Sequence, residues 1–128
     1  MARSFELLKN KWIGDGHPCF IIAEIGQNHQ GDIDIAKKMI LMAKDCGADC
    51  VKFQKSDMHS KFTNSVLERV YESPHAFGTT YGEHKRFLEF SAEQYKELMS
   101  YASSVGIHFT ASAMDEVLFK INFVIPCN

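Results

Sequence analysis

Three short stretches carry side chains suited to acid–base and polar-group chemistry, spaced two residues apart. "FIIAEIGQNHQGD", residues 20–32, holds Glu24 inside an apolar run. Burying an unpaired carboxylate costs several kcal/mol or forces it to take a proton, so a carboxylate kept at a strand end has a use. "DCVKFQK", residues 49–55, holds Lys52 and Gln54, and "IHFTASA", residues 107–113, holds His108, Thr110 and Ser112. Side chains alternate across a strand with period two. The even positions therefore form one face: Phe20, Ile22 and Glu24, then Cys50, Lys52 and Gln54, then His108, Thr110 and Ser112. The odd positions Ile21, Ala23, Ile25, Val51, Phe53, Ile107, Phe109 and Ala111 are apolar, and Lys55, at the strand's exit, is the exception. One face thus gathers an acid, a base and hydroxyls toward the strand C-termini, as in a barrel whose active site opens at that end. The bland alternative is a set of satisfied internal polar residues without function.

The elements that must position these groups follow from the pattern. Residues 19–25 read as a strand buried on both faces. Asp32 is a plausible N-cap, without a capping box, for a helix whose apolar positions are Ile33, Ala36, Met39, Ile40, Ala43 and Cys46. Gly47 closes that helix, and residues 49–55 form the second strand. Residues 56–90 mix turn formers, aromatics and charges and read as a long packed excursion with a short helix. "SAEQ" at 91–94 is a capping box opening a helix with stripe Tyr95, Leu98, Met99, Ala102 and Val105, ended by Gly106. Residues 107–113 are the third strand. A short strand around Phe5–Leu8 lies in the polar lead-in of residues 1–18. The order β-α-β-insert-α-β gives parallel pairing and right-handed crossovers. The expected fold class is α/β, either a doubly wound sheet or a (β/α)₈ barrel. No G-x-G-x-x-G follows the first strand, so the dinucleotide form of the former lacks its motif.

Composition bounds the rest. The 128 residues suffice for one domain, with 45% hydrophobic and 23% charged residues. A net charge of −2 argues against a nucleic-acid surface. No apolar run approaches the about 18 residues of a membrane span, and "MARSFELLKNKW" has no apolar core of a secretory leader. Cys19, Cys46, Cys50 and Cys127 follow neither CxxC nor a zinc spacing, so they read as reduced packing thiols of a cytoplasmic protein. His17, His29, His59, His75, His84 and His108 form no H-E-x-x-H pair.

"AEIGQNHQGD", "GADCVKFQK", "TYGEHKRFLEFS" and "FTASAMDE" closely resemble the N-terminal part of sialic acid synthases, the animal type above all. The resemblance runs from about Pro18 to Glu116. It implies the first three βα units of a (β/α)₈ TIM barrel, with a long insert after the second strand, followed in the family by a small antifreeze-like domain. It also implies condensation of phosphoenolpyruvate with N-acetylmannosamine 6-phosphate, or the free sugar, to N-acetylneuraminate 9-phosphate, or N-acetylneuraminate, plus phosphate. A divalent metal, magnesium or manganese, would polarise the sugar aldehyde as a Lewis acid. Residue by residue, Glu24 matches the glutamate that acts on water and steadies charge at C2. Lys52 matches the lysine holding the phosphoenolpyruvate anion, Gln54 an amino-sugar contact, and Ser112 a hydroxyl contacting phosphoenolpyruvate. Thr110 lies deeper on the same face, and Asn28 and His29 shape the mouth. Tyr81, His84, Lys85 and Arg86 are candidates for the sugar phosphate, or else a solvated charged face. The full-length family is expected to be a homodimer without nucleic-acid or membrane partners.

After Glu116 the resemblance stops, and residues 117–128 read as a divergent tail. The metal-binding histidines of later strands and the second domain are expected to be absent. Three strands alone leave open edges and a partial core, so the isolated chain is expected to be marginally stable with little synthase activity. A non-catalytic product that binds substrate or full-length subunits is the alternative. A weaker competitor is a Schiff-base aldolase using Lys52, which borohydride trapping would reveal.

Overall fold

The computed structural model describes residues 3–116. The lead-in forms a hairpin, β1 (Ser4–Leu8) and β2 (Lys11–Gly14), paired antiparallel with an irregularity between Glu6 and Leu8. The sequence pattern predicted only the first of these strands. The polar residues of β2 hide it, because strand two of the hairpin is selected by its partner rather than by its own propensity. The hairpin is tied down by a Lys11–Asp49 ion pair at 2.6 Å, and Asp49 also accepts from the Ile21 backbone N–H. Both contacts hold the Asp49 carboxyl below the usual carboxylate range, the Lys11 hydrogen bond most.

The second sheet carries the α/β unit. Strands β3 (Ile22–Gly26), β4 (Cys50–Lys55) and β5 (His108–Ala113) lie side by side in that order, all parallel. Helices α1 (Ile33–Asp45) and α5 (Ala92–Val105) provide the crossovers and pack on each other over one face. Asp32 caps α1 by accepting from the Asp34 and Ile35 N–H groups. Ser91 and Gln94 form the reciprocal capping box of α5, and Gly106 ends it in the left-handed conformation, φ 75°. Between β4 and α5 the insert folds into α2 (Met58–Lys61), α3 (Asn64–Leu67) and α4 (Tyr81–Leu88), more helix than the one short element predicted. A capping box, Thr80 with Glu83, starts α4. Among the described residues no helix is long and apolar enough to cross a membrane.

The parity argument holds for the helix-facing side of the sheet. Ile25, Val51, Phe53, Ile107 and Phe109 are buried there with Ala36 and Ile40 of α1 and Tyr95, Leu98 and Ala102 of α5. On the helix-facing side Ile21, just before the strand, is the exception at 54% exposed, and the other side is not buried as expected for the first strand, with Ile22 45% exposed. That face carries the polar groups, and among the described residues β3 pairs on one edge only. Two thiols also depart from expectation. Cys50 is buried, but Cys19 and Cys46 are exposed and free, because Cys46 falls at the helix C-cap, beyond the packed stripe. Cys127 and the tail of residues 117–128 lie outside the described residues.

The loop after β3 is pinned against the insert at Gly31. Its φ is 76°, and a Cβ there would sit 2.3 Å from the Phe87 carbonyl oxygen of α4. Gly31→Ala is therefore expected to cost about 1–3 kcal/mol, read as a lower urea midpoint. An unchanged midpoint would mean that loop and insert are not held together.

Candidate active site

The three parallel strands put the sequence-predicted groups in two rows. Glu24 on β3 is opposite Lys52 on β4, and Lys52 is opposite Thr110 on β5. One step toward the strand exits, Gln54 is opposite Ser112. Lys52 Nζ lies 2.5 Å from Glu24 Oε1. The Glu24 side chain is 57% exposed and that of Lys52 33%, so the pair is wet and worth at most about 1 kcal/mol to the fold. The carboxylate in the apolar run thus has both a partner and water. The β3–β4 register slips between Glu24 and Gly26, leaving Glu24 beside an irregularity of the kind that re-aims side chains near active sites.

The loop after β3 closes over the exits. Asn28 turns its side-chain amide back to donate to the Ile25 carbonyl at 2.8 Å, which fixes the end of the strand. Gly26 sits beside both Asn28 and Gln54. His29, expected at the mouth, is instead 1% exposed in the core, stacked on Phe90 at 4.1 Å and near Phe53 at 5.8 Å. Its Nδ1 accepts from the Gly31 N–H, and burial lowers its pKa to about 4. The aromatic partners come from β4 and from the residue before α5's cap, contacts that local sequence does not show. Tyr81 lies in the insert, edge-on to Phe62 and Tyr71, with Lys85 Nζ over its ring. A cleft of about 420 Å³ opens between the loop and the insert, lined by Gln27, Asn28 and Gln30 on one side and His75, Phe77 and His84 on the other. Burial, then the neighbouring Lys85 charge, pushes the His84 pKa down.

A network at the β4 exit escaped the sequence analysis. Glu89, the C-cap of α4, accepts from Gln27 Nε2 at 2.9 Å, Lys55 Nζ at 3.0 Å and the Ser56 N–H at 3.3 Å. It therefore joins the loop after β3, the end of β4 and the insert. The Lys55–Glu89 side chains are only 16% and 10% exposed. Tyr95 of α5 donates its hydroxyl to the Gln54 carbonyl at 2.6 Å, which steadies the same strand end, and burial raises its pKa. Lys55 did offer a hint, since a lysine on an apolar strand face demands an anionic partner. Which of the 16 acidic residues supplies it depends on the fold.

Among the described residues no group of three His, Cys, Asp or Glu side chains could hold a metal ion. These residues do not fit the divalent metal implied by the resemblance.

Residues 39–124 match the NeuB family. The chain is similar to the N-acetylneuraminate-9-phosphate synthases of Mus musculus, 65% identical, and Homo sapiens, 64% identical, each over 117 residues. Each alignment covers 91% of this chain and 33% of the relative, so the chain spans about a third of the length of the curated relatives it matches. Its fold is similar to that of the sialic acid synthetase of Leptospira borgpetersenii, solved in complex with citrate. That likeness has a TM-score of 0.73 at 26% identity and covers 100% of this chain and 39% of the other. The parallel sheet and its helices accord with a partial barrel of that kind. With the matched segment spanning more than half of its length, this chain belongs to the NeuB family.

Proposed function

We propose that this chain supplies the phosphoenolpyruvate end of a sialic acid synthase site, in an enzyme that condenses phosphoenolpyruvate with N-acetylmannosamine 6-phosphate, or with the free sugar. The observation that carries the reading is the Glu24–Lys52–Thr110 row, with Gln54 and Ser112 one step outward, in a chain about two thirds identical to two synthases. Carbon–carbon bond formation joins C3 of phosphoenolpyruvate to the sugar aldehyde carbon. Water then adds at C2, and phosphate leaves with cleavage of its C–O bond. Lys52 offers an ammonium to the anion of phosphoenolpyruvate, with the Thr110 and Ser112 hydroxyls beside it. Glu24 takes the proton of the attacking water and steadies positive charge developing at C2. Gln54 and Asn28 face the sugar, and Tyr81 stands at its far side. The reading includes a cytoplasmic location, supported by the exposed free thiols Cys19 and Cys46, and a second copy as partner in the whole synthase.

The aldolase alternative fits less well. An imine-forming lysine is made nucleophilic by desolvation or by a cationic neighbour. Lys52 instead has a carboxylate at 2.5 Å and is a third exposed.

Calorimetric titration of phosphoenolpyruvate into the chain tests the reading. Lys52→Ala is expected to weaken binding by at least about tenfold, the value of one charge-assisted hydrogen bond. Equal affinities for wild type and variant would remove Lys52 from the site.

A further inference from the structure

Among the described residues, two ammonium groups on the insert side of the mouth have no carboxylate within ion-pair distance. Lys61 ends α2, and its Nζ reaches only the Ser56 hydroxyl, at 3.3 Å. Lys85 lies in α4, and its Nζ reaches only the Gln27 side-chain oxygen, at 3.1 Å. Both contacts are part-buried and both acceptors are neutral. The salt bridges among the described residues use Lys11, Lys37, Lys52 and Lys55 instead.

Packing seats the two cations on neighbouring rings. Lys61 Nζ stands 5.3 Å over the Phe62 ring, and Lys85 Nζ 5.8 Å over the Tyr81 ring. Those rings touch edge to face, their centroids 5.4 Å apart. The nearby carboxylate, Glu89, is already taken by Lys55, Gln27 and Ser56. Lys55, Lys61 and Lys85 thus share one anion between three cations. Burial and then repulsion from Lys61 lower the Lys85 pKa, while Glu89 only partly offsets them. Cations held this way without a counter-charge are costly for a fold to keep. Each ammonium has three donors and spends one, so two on each remain for a ligand. Three oxygens and close to two negative charges, as on a phosphate monoester, match that set.

We propose that Lys61 and Lys85 form a phosphate-monoester subsite, distinct from the Glu24–Lys52 row. Its choice of ligand rests on the synthase reading, in which phosphoenolpyruvate, and the sugar in its 6-phosphate form, carry a phosphate monoester. The aromatic pair under the two ammonium groups fixes their spacing, and Gln27 and Ser56 orient them from the β3 and β4 exits. The sugar phosphate and phosphoenolpyruvate share this chemistry, and the test separates them.

The chain is labelled with ¹³C-lysine, which leaves every ammonium donor intact, and the lysine ε-methylene resonances are followed by NMR. Inorganic phosphate, N-acetylmannosamine 6-phosphate and phosphoenolpyruvate are added separately at constant ionic strength. Spectra of K61Q and K85Q identify the two resonances. Both are expected to saturate together with inorganic phosphate, while that of Lys37, which is paired with Glu97, stays put. The organic ligand that saturates them at the lower concentration identifies the source. Each glutamine variant is expected to lose about tenfold in phosphate affinity. K61R and K85R keep the charge and most of the affinity, which separates lost binding from lost folding. The proposal is overturned if the two resonances move no more than that of Lys37, or if K61Q and K85Q bind phosphate as wild type does. None of these measurements needs turnover or Lys52. Saturation by inorganic phosphate alongside unchanged phosphoenolpyruvate binding in K52A would sink the synthase reading and keep the subsite. The reverse pattern would sink the subsite alone.

Discussion

Glu89→Ala is expected to cost about 3–5 kcal/mol of folding stability, the usual penalty for breaking a buried ion pair by removing one partner. The exposed pairs elsewhere in the chain do not approach this. Lys37–Glu97, at 27% and 53% exposure, is wet and screened by solvent. Glu89 differs because the substitution strands three donors at once. The Lys55 ammonium, 16% exposed, loses its counter-ion, and the Gln27 amide and the Ser56 N–H lose their acceptor. An unmade hydrogen bond in such a place costs more than a made one gains. Glu89→Gln keeps an acceptor oxygen but not the charge, and so is expected to fall between wild type and alanine. Urea unfolding of the three proteins measures this. A loss below about 1 kcal/mol for alanine would show that the pair is solvated and the loops are held by something else.

The second large effect is acid sensitivity from His29. Its pKa is about 4 in the fold and 6.5 when the chain is unfolded, because burial penalises the charged ring. Between these values the unfolded state binds a proton that the folded state refuses. Above pH 6.5 the group contributes nothing to the pH dependence. As pH falls from 6.5 toward 4 stability drops, and below about 4 the full loss has accrued. The gap corresponds to about 3 kcal/mol. His29→Phe keeps an aromatic ring between Phe53 and Phe90 but cannot be charged. Its stability is expected to be lower at neutral pH, since the Gly31 N–H loses its acceptor, yet flatter by about one proton across that window. Equal slopes for variant and wild type would assign the acid sensitivity elsewhere.

The elements with local cues were legible in the sequence. The Asp32 cap, the Ser91–Gln94 box and the Gly106 terminator each sit at the end they mark. The alternation along residues 50–55 and 108–113 fixed which side chains share a face, and the register then aligned Lys52 with Thr110 and Gln54 with Ser112. The Thr80–Glu83 box was equally visible, but the turn formers around it masked the helix it starts. Features set by distant partners were not legible. The second hairpin strand depends on β1, and His29 is buried by Phe53 and Phe90, residues far along the chain. Glu89, between Leu88 and Phe90, looked like one charged residue among many until folding set it against Lys55. The inner side of β3 was misjudged for a related reason. A run of apolar residues reports hydrophobicity, while the side that is covered depends on what packs there.

Parallel strands deliver Glu24, Lys52 and Thr110 to one place, and a crystal structure of the chain with phosphoenolpyruvate tests their joint role most directly. The expected result is the ligand's anionic oxygens on Lys52 Nζ, the Thr110 or Ser112 hydroxyl within hydrogen-bond distance, and Glu24 facing C2. Phosphoenolpyruvate ordered away from these strands, with the Glu24–Lys52 pair undisturbed, would contradict it.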